Sequence, residues 1–210
     1  MGNEFDNEQF AFGTGKLLKL KNVSIWFQRL SYVGELGWEL YIPMDQSNKI
    51  YELIDSVGKK YNLVHAGAHA MDIMRMEKGY LHWGHDMSPE ENQYEAGLKF
   101  AISFKKNIDF VGKKAIEKIK NEKIKKKMVI LTLKNSKPGE PLLLHDEPIY
   151  SGKNIIGRTT SGNFSFKVSD LQKKLGDLFV HHGQVLNCSI KINDSVELKI
   201  DIERRENCRK

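Results

Sequence analysis

Val23-Ser-Ile-Trp-Phe-Gln-Arg-Leu30, Gly34-Glu-Leu-Gly37 and Trp38-Glu-Leu-Tyr-Ile42 follow one another closely in the chain. The first and last are dense in β-branched and aromatic residues and predict strands. The middle one predicts a hairpin-like turn, where glycine takes backbone angles that other residues avoid. Pro43 ends the second strand, since it has no N–H for a ladder. Working outward, Ser47 predicts the cap of a helix whose apolar positions Ile50, Leu53, Ile54 and Val57 keep helical spacing, closed near Gly58. A second helix is expected over 67–78, with Met71, Met74 and Ala70 facing inward, Asp72 on the polar side and Gly79 as the stop. Leu98–Phe104 reads as another strand. Gly112–Lys120 reads as a short basic helix resting on Ala115, Ile116 and Ile119. Strand, helix, helix, strand, helix is an α+β arrangement.

Beyond a lysine-rich linker over 121–127 the character changes. Met128–Leu133, Glu147–Tyr150, Ile155–Thr160, Val185–Ile192 and Val196–Ile202 read as short strands separated by Gly, Pro, Asn and Asp, with a helical period only around Leu171–Leu175. That pattern predicts a small antiparallel barrel or sandwich of about 80 residues. The chain shows no internal repeat and no low-complexity tract.

The chain has 210 residues, 40% hydrophobic and 29% charged, with 5 prolines and a mean hydropathy of −0.48. Collagen-like, mucin-like, coiled-coil and disordered readings are excluded on that composition. No apolar run approaches the roughly 18 residues of a membrane span, and the acidic start lacks the features of a secretory signal. No membrane partner is expected. Cys188 and Cys208 make no framework, and two isolated thiols fit a reducing compartment. The net charge is +6, and eleven lysines against three acids lie between Lys99 and Lys127. A solvated helix face and linker explain this better than nucleic-acid binding, because neither an arginine cluster nor an interleaved aromatic motif accompanies the lysines.

Several chemistries fall away. Gly13-Thr-Gly-Lys16 lacks P-loop spacing, and Leu17 stands where a hydroxyl ligand belongs. There is no GxGxxG, so no dinucleotide crevice is expected. His65 and His69 lack the glutamate of HExxH. His82, His85 and Asp86 lie in a glycine-containing loop, and His181 and His182 would point to opposite faces of a strand. No metal site is expected. No nucleophile elbow appears. What remains is a set of acids and polar aromatics, among them Tyr32, Glu39 and Tyr80. By pattern alone Glu39 is an exposed strand carboxylate, and the tyrosines are core-edge aromatics with a wet hydroxyl.

Ser31-Tyr-Val-Gly-Glu-Leu-Gly-Trp-Glu-Leu-Tyr-Ile-Pro43 resembles the aminomethyltransferase family, that of the glycine-cleavage T-protein. It is most similar to the folate-binding C-terminal region of dimethylglycine and sarcosine dehydrogenases. Met74-Arg-Met-Glu-Lys-Gly-Tyr-Leu-His-Trp-Gly-His-Asp-Met87, Glu95-Ala-Gly-Leu98, Asp109-Phe-Val-Gly-Lys-Lys-Ala115, Glu147-Pro-Ile-Tyr150 and Ile156-Gly-Arg-Thr-Thr-Ser-Gly162 follow in the family's order. The resemblance implies an α+β fold: the C-terminal half of a folate-binding aminomethyltransferase-like domain over 1–120, then a small antiparallel β-barrel over 128–210. It implies that Tyr32 and Glu39 line a pterin pocket and that Tyr80 lies at the folate. A pterin edge offers neighbouring N–H donors to a carboxylate, and its flat face suits an aromatic wall.

The implied reaction is capture by tetrahydrofolate of a one-carbon unit from an N-methyl or aminomethyl group, giving 5,10-methylenetetrahydrofolate. The alternative is a non-catalytic binding or regulatory module that keeps the fold. Relatives carry the catalytic aspartate in an upstream half of the folate domain, and the dehydrogenases carry FAD in a domain before that. No block here matches either, so no catalytic residue is assigned. Met71 stands where glycine-cleavage relatives have an arginine that helps hold folate, and Asp177 interrupts a usually apolar stretch. The expected partners are folate and either the missing upstream folate or flavin domain or a second copy. Apolar residues such as Trp26, Phe27 and Trp38 are then expected to lie exposed. The implied compartment is the cytoplasm, or the mitochondrial matrix in a eukaryote.

Overall fold

The structure, a computed structural model, describes residues 3–106, 108–133, 141–165, 183–191 and 201–202. The chain forms two compact units, Met1–Arg75 and Met76–Lys210.

The first unit is built on three antiparallel strands, β1 (Gly15–Leu20), β2 (Val23–Gln28) and β3 (Glu39–Tyr41), paired in that order. Strand β2 alternates without a break, Val23, Ile25 and Phe27 being buried and Ser24 and Trp26 exposed. Register sets Leu20 opposite Val23, Leu18 opposite Ile25 and Leu40 opposite Phe27 on the same face. Phe10 and Ile50 close over that face, and burying each such side chain contributes about 1.5–3 kcal/mol. Edge-to-face contacts join Trp38 to Phe10 at 4.6 Å and to Phe5 at 5.3 Å. Of the three residues expected to lie exposed, only Trp26 does; Phe27 is buried and Trp38 packs against the core. Both lie on the inner side of the sheet, which this unit covers with its own residues.

Strand β1 was not expected. Its Lys16 and Lys19 break the apolar alternation, so only the pairing with β2 defines it. Nor is the β2–β3 connection a tight hairpin: it is the ten-residue loop from Arg29 to Trp38, pinned by Arg29. That buried side chain donates to the Phe10 carbonyl at 2.6 Å and to Asn7, and it lies over the Trp38 ring.

Helix α1 (Ser47–Gly58) has the expected span. Ser47, however, is its first helical residue and does not cap it. Its hydroxyl donates to the Met44 carbonyl at 2.8 Å, closing the turn that leads in. Ile50 is buried, whereas Ile54 and Val57 remain exposed. Helix α2 (Ala68–Glu77) stops ahead of Gly79, whose φ of +79° suits glycine. Its buried positions are Arg75 and Met76, with Met71 exposed. Of the face expected to be inward, Ala70 and Met74 are half-buried; full burial goes instead to Met76 and to Arg75, which Asp72 neutralises, accepting from its Nε at 2.8 Å and its second guanidinium nitrogen at 2.6 Å.

The second unit carries α3 (Lys113–Ile119) and a five-stranded antiparallel sheet. Its strands are β4 (Lys126–Thr132), β5 (Pro148–Ser151), β6 (Asn154–Ser165), β7 (Gly183–Lys191) and β8 (Asp201–Ile202), in the order β4-β7-β6-β5-β8. Among the described residues no pairing joins β8 to β4. Leu143, Ile149, Ile156, Leu186 and Cys188 form its core. The strand expected over Leu98–Phe104 is instead a 3-10 turn, Lys99–Ala101, followed by irregular chain. There Leu98, Ala101 and Ile102 donate their N–H groups to Gln93, Leu98 and Lys99. Those local bonds use the donors a ladder needs, and Phe100 is left 85% exposed. Strand β4 starts earlier than expected and takes in Lys126 and Lys127. The helix read around Leu171–Leu175, most of the last strand and Cys208 lie outside the described residues, as do His181 and His182.

Candidate functional site

The outer face of the first unit's sheet is a small exposed platform. Register sets Leu17, Trp26 and Tyr41 in one cross-strand row, and Gly15, Gln28 and Glu39 in the next. A Cβ on Gly15 would lie 2.3 Å from Cζ2 of Trp26, so the indole is laid over bare backbone. Glu39 is half-exposed beside it. The Tyr41 hydroxyl donates to Oε2 of Glu39 at 2.9 Å. That bond, and secondarily the negative charge of Glu39, push the Tyr41 hydroxyl above its ordinary pKa, because ionisation would break the bond and set two anions together. Oε1 of Glu39 has no hydrogen-bond partner among the described residues. The platform thus offers an aromatic surface flanked by an amide and an anionic acceptor with capacity to spare.

Tyr32 is half-buried in the Arg29–Trp38 loop of the same unit. Tyr80 belongs to the second unit, 37% exposed just after Gly79. Neither Arg29, which pins the Tyr32 loop, nor Trp26 was singled out as a site residue. A buried arginine has no periodic signal to betray it, and Trp26 becomes a platform residue only once β1 supplies Gly15.

The loop that follows Tyr80 is tied down by Asp86, 1% exposed. Its carboxylate accepts from the His82 N–H at 2.8 Å, the Thr160 hydroxyl at 2.6 Å and the Asn187 amide at 3.2 Å. Burial, and secondarily the Asp86 charge, push the neighbouring Cys188 thiol up to about 12. Such a thiol is no nucleophile at neutral pH. The rings of His82, His85 and His145 follow one another at 4.6 and 5.6 Å. The nitrogens of His145, however, face Asp146 at 2.8 Å and the His85 carbonyl at 3.3 Å. His65 pairs with Asp55 at 2.9 Å. Among the described residues no three His, Cys, Asp or Glu side chains are set to hold a metal ion, and no helix is long and apolar enough to cross a membrane.

These features together define a mixed helix-and-sheet chain of the aminomethyltransferase fold. The glycine cleavage system aminomethyltransferase T of Bartonella henselae superposes with a TM-score of 0.70 over 88% of this chain and 45% of its own, at 19% identity. Residues 1–106 match the GCVT N-terminal domain, and the chain belongs to that aminomethyltransferase family. Human mitochondrial dimethylglycine dehydrogenase is 34% identical over 177 residues, 84% of this chain and 20% of its own length. Human mitochondrial sarcosine dehydrogenase is 34% identical over 165 residues, 79% of this chain and 18% of its own. An aminomethyltransferase of Halothermothrix orenii is 35% identical over 161 residues, 77% of this chain and 43% of its own. The chain therefore spans about a fifth of the dehydrogenases it matches.

Proposed function

We propose that the chain is a tetrahydrofolate-binding region of a dimethylglycine or sarcosine dehydrogenase-like protein, acting in one-carbon transfer that yields 5,10-methylenetetrahydrofolate. The observation that carries this reading is the spare acceptor capacity of Glu39 beside an exposed aromatic surface. A half-exposed carboxylate holding one phenol can accept a pterin edge at little desolvation cost. Tetrahydrofolate, when bound, supplies the nitrogens that take up the one-carbon unit. The chain's own part is to hold it: Glu39 accepts from the pterin edge, and Tyr32 of the same unit serves as an aromatic contact. The catalytic aspartate and the flavin would come from polypeptide corresponding to the relatives' upstream regions, which would also be the binding partner. In this reading the five-stranded sheet of the second unit closes into the family's small barrel.

The test is a titration of tetrahydrofolate into the chain joined to such an upstream half. Glu39→Gln replaces one acceptor oxygen by a donor facing a donor, and should weaken binding by about 1.5–3 kcal/mol, roughly ten- to a hundred-fold. Glu35→Gln should change affinity much less. Equal affinities for wild type and Glu39→Gln would remove Glu39 from the site. A non-catalytic folate-binding or interaction module is the second reading, favoured by Met71, 41% exposed where an arginine contact to folate is expected. Folate binding without turnover in the joined protein would decide for it.

A further inference from the structure

The second unit contains an open cleft of about 380 Å³ against its sheet, a size suited to a small ligand. Tyr32, Glu39 and Tyr80 do not line it. Its charges can be sorted by partner. Lys126 of β4 pairs with Glu91 at 2.6 Å; that carboxylate, its side chain only 3% exposed, also takes the Ser88 N–H and hydroxyl. Arg158 of β6 pairs with Asp146. Lys191 of β7 stands directly opposite Lys126, a like-charge pairing that destabilises a sheet unless neutralised. Glu91 neutralises only Lys126. Among the described residues Lys191 forms no ion pair, and neither does Glu90 on the lining.

The remaining donors share one side of the cleft. Ser189 precedes Lys191 by two residues on β7 and is opposite Arg158 on β6. Lys191 and Arg158 are thus diagonal neighbours, at a separation of about 7–8 Å that one carboxylate can bridge. Arg158 has five donors and Asp146 occupies only part of them. Pro148 and Ile155 add an apolar wall, on which Ile155 is 56% exposed.

We propose that this cleft binds a small aliphatic amino acid as its zwitterion. The carboxylate lies on Lys191, Ser189 and Arg158, the ammonium on Glu90 and the side chain on Pro148 and Ile155. A simple anion leaves Glu90 opposed, and a simple amine leaves Lys191 opposed; a zwitterion satisfies both.

The test is nuclear magnetic resonance titration of the whole chain with L-valine, with isovalerate and isobutylamine as analogues lacking the amine or the carboxylate, and with inorganic phosphate. Valine should saturate with a dissociation constant of about 1–10 mM, as eight non-hydrogen atoms at ordinary ligand efficiency give. Each analogue, and phosphate, should bind at least about tenfold more weakly. Lys191→Gln should weaken valine about tenfold, and Glu90→Gln should abolish its advantage over isovalerate. Lys153→Gln, outside the lining, should change nothing. Absence of saturation by valine up to about 50 mM overturns the proposal. So does phosphate or isovalerate binding as tightly as valine, which would make this an anion site only. The wild-type comparisons stand whether or not a variant folds, and none of them depends on folate.

Discussion

Two carboxylates, one in each unit, are placed under opposite conditions. Glu39 is half-exposed on a sheet face and holds a single phenol. Asp86 is buried and accepts a backbone N–H, a hydroxyl and an amide from three separate segments. A buried carboxylate is tolerated only when its acceptor sites are filled, because desolvation of the bare anion is costly. Once filled, it has nothing left for a ligand. An open carboxylate contributes little to folding and keeps its capacity for recognition. The contrast assigns Asp86 to architecture and leaves Glu39 open to the binding role proposed for it, although both lie within blocks that resemble the family.

The largest effect should come from Asp86→Ala. It leaves the His82 N–H and the Asn187 amide without this acceptor and the Thr160 hydroxyl with only the Asn187 carbonyl at 3.1 Å, and should cost about 3–5 kcal/mol of stability. Denaturant unfolding measures this. Thr160→Val, which removes one donor while keeping the shape, should cost about 1.5–3 kcal/mol. Glu39→Gln should change stability by less than about 0.5 kcal/mol. A loss at Asp86 no greater than that at Glu39 would erase the contrast.

How much of this was legible follows from the range of each signal. Helix α1 and strand β2 rest on local periodicity, and both emerged with nearly the expected bounds. Helix α2 has the expected span, but spacing does not report Arg75 as a fully buried position, because the Asp72–Arg75 pair is what allows an arginine inside. Strand β1 and the 3-10 turn at Lys99–Ala101 depend on where N–H groups find partners, which spacing does not report. Glu39 stands out as a candidate within its block, but its platform does not, since Gly15 reaches it only through sheet register. Asp86 lies 74 and 101 residues from its side-chain donors Thr160 and Asn187, beyond any local pattern.

A smaller loss is expected from Glu91→Gln. Burial pushes the Glu91 carboxyl up, but the Lys126 bond and the two Ser88 bonds outweigh it, leaving the group below its ordinary value. A carboxyl depressed in the folded state adds stability above its unfolded pKa of about 4.3, and loses it as pH falls through the lower folded value. The variant should therefore be about 1–2 kcal/mol less stable at pH 7. The gap should close as pH falls below about 4. A gap independent of pH would show that the Lys126–Glu91 charge pair plays no part.

Gly15→Ala tests the platform itself. The new methyl meets the Trp26 ring at 2.3 Å, so the ring must move; as it is half-exposed it can swing aside. The expected cost is about 1 kcal/mol, with a change in tryptophan emission. Unchanged emission would mean that the indole does not rest on Gly15.

The last effect is on ionisation and scarcely on stability. Tyr41 is held above its ordinary pKa by the bond to Glu39 and by that carboxylate's charge. A tyrosine raised in the folded state favours the fold below its unfolded pKa of about 10, and the benefit disappears as pH rises through the folded value. Glu39→Gln removes the charge and weakens the bond, so Tyr41 should titrate closer to 10, as read by ultraviolet absorbance of the phenolate. Tyr41→Phe should leave the fold intact and free Oε2 of Glu39. If Glu39 is the folate acceptor, that variant should bind folate at least as well as wild type in the joined protein, because a competitor for the carboxylate has gone. Loss of binding in Tyr41→Phe would mean that the phenol, and not the carboxylate it occupies, carries recognition on this face.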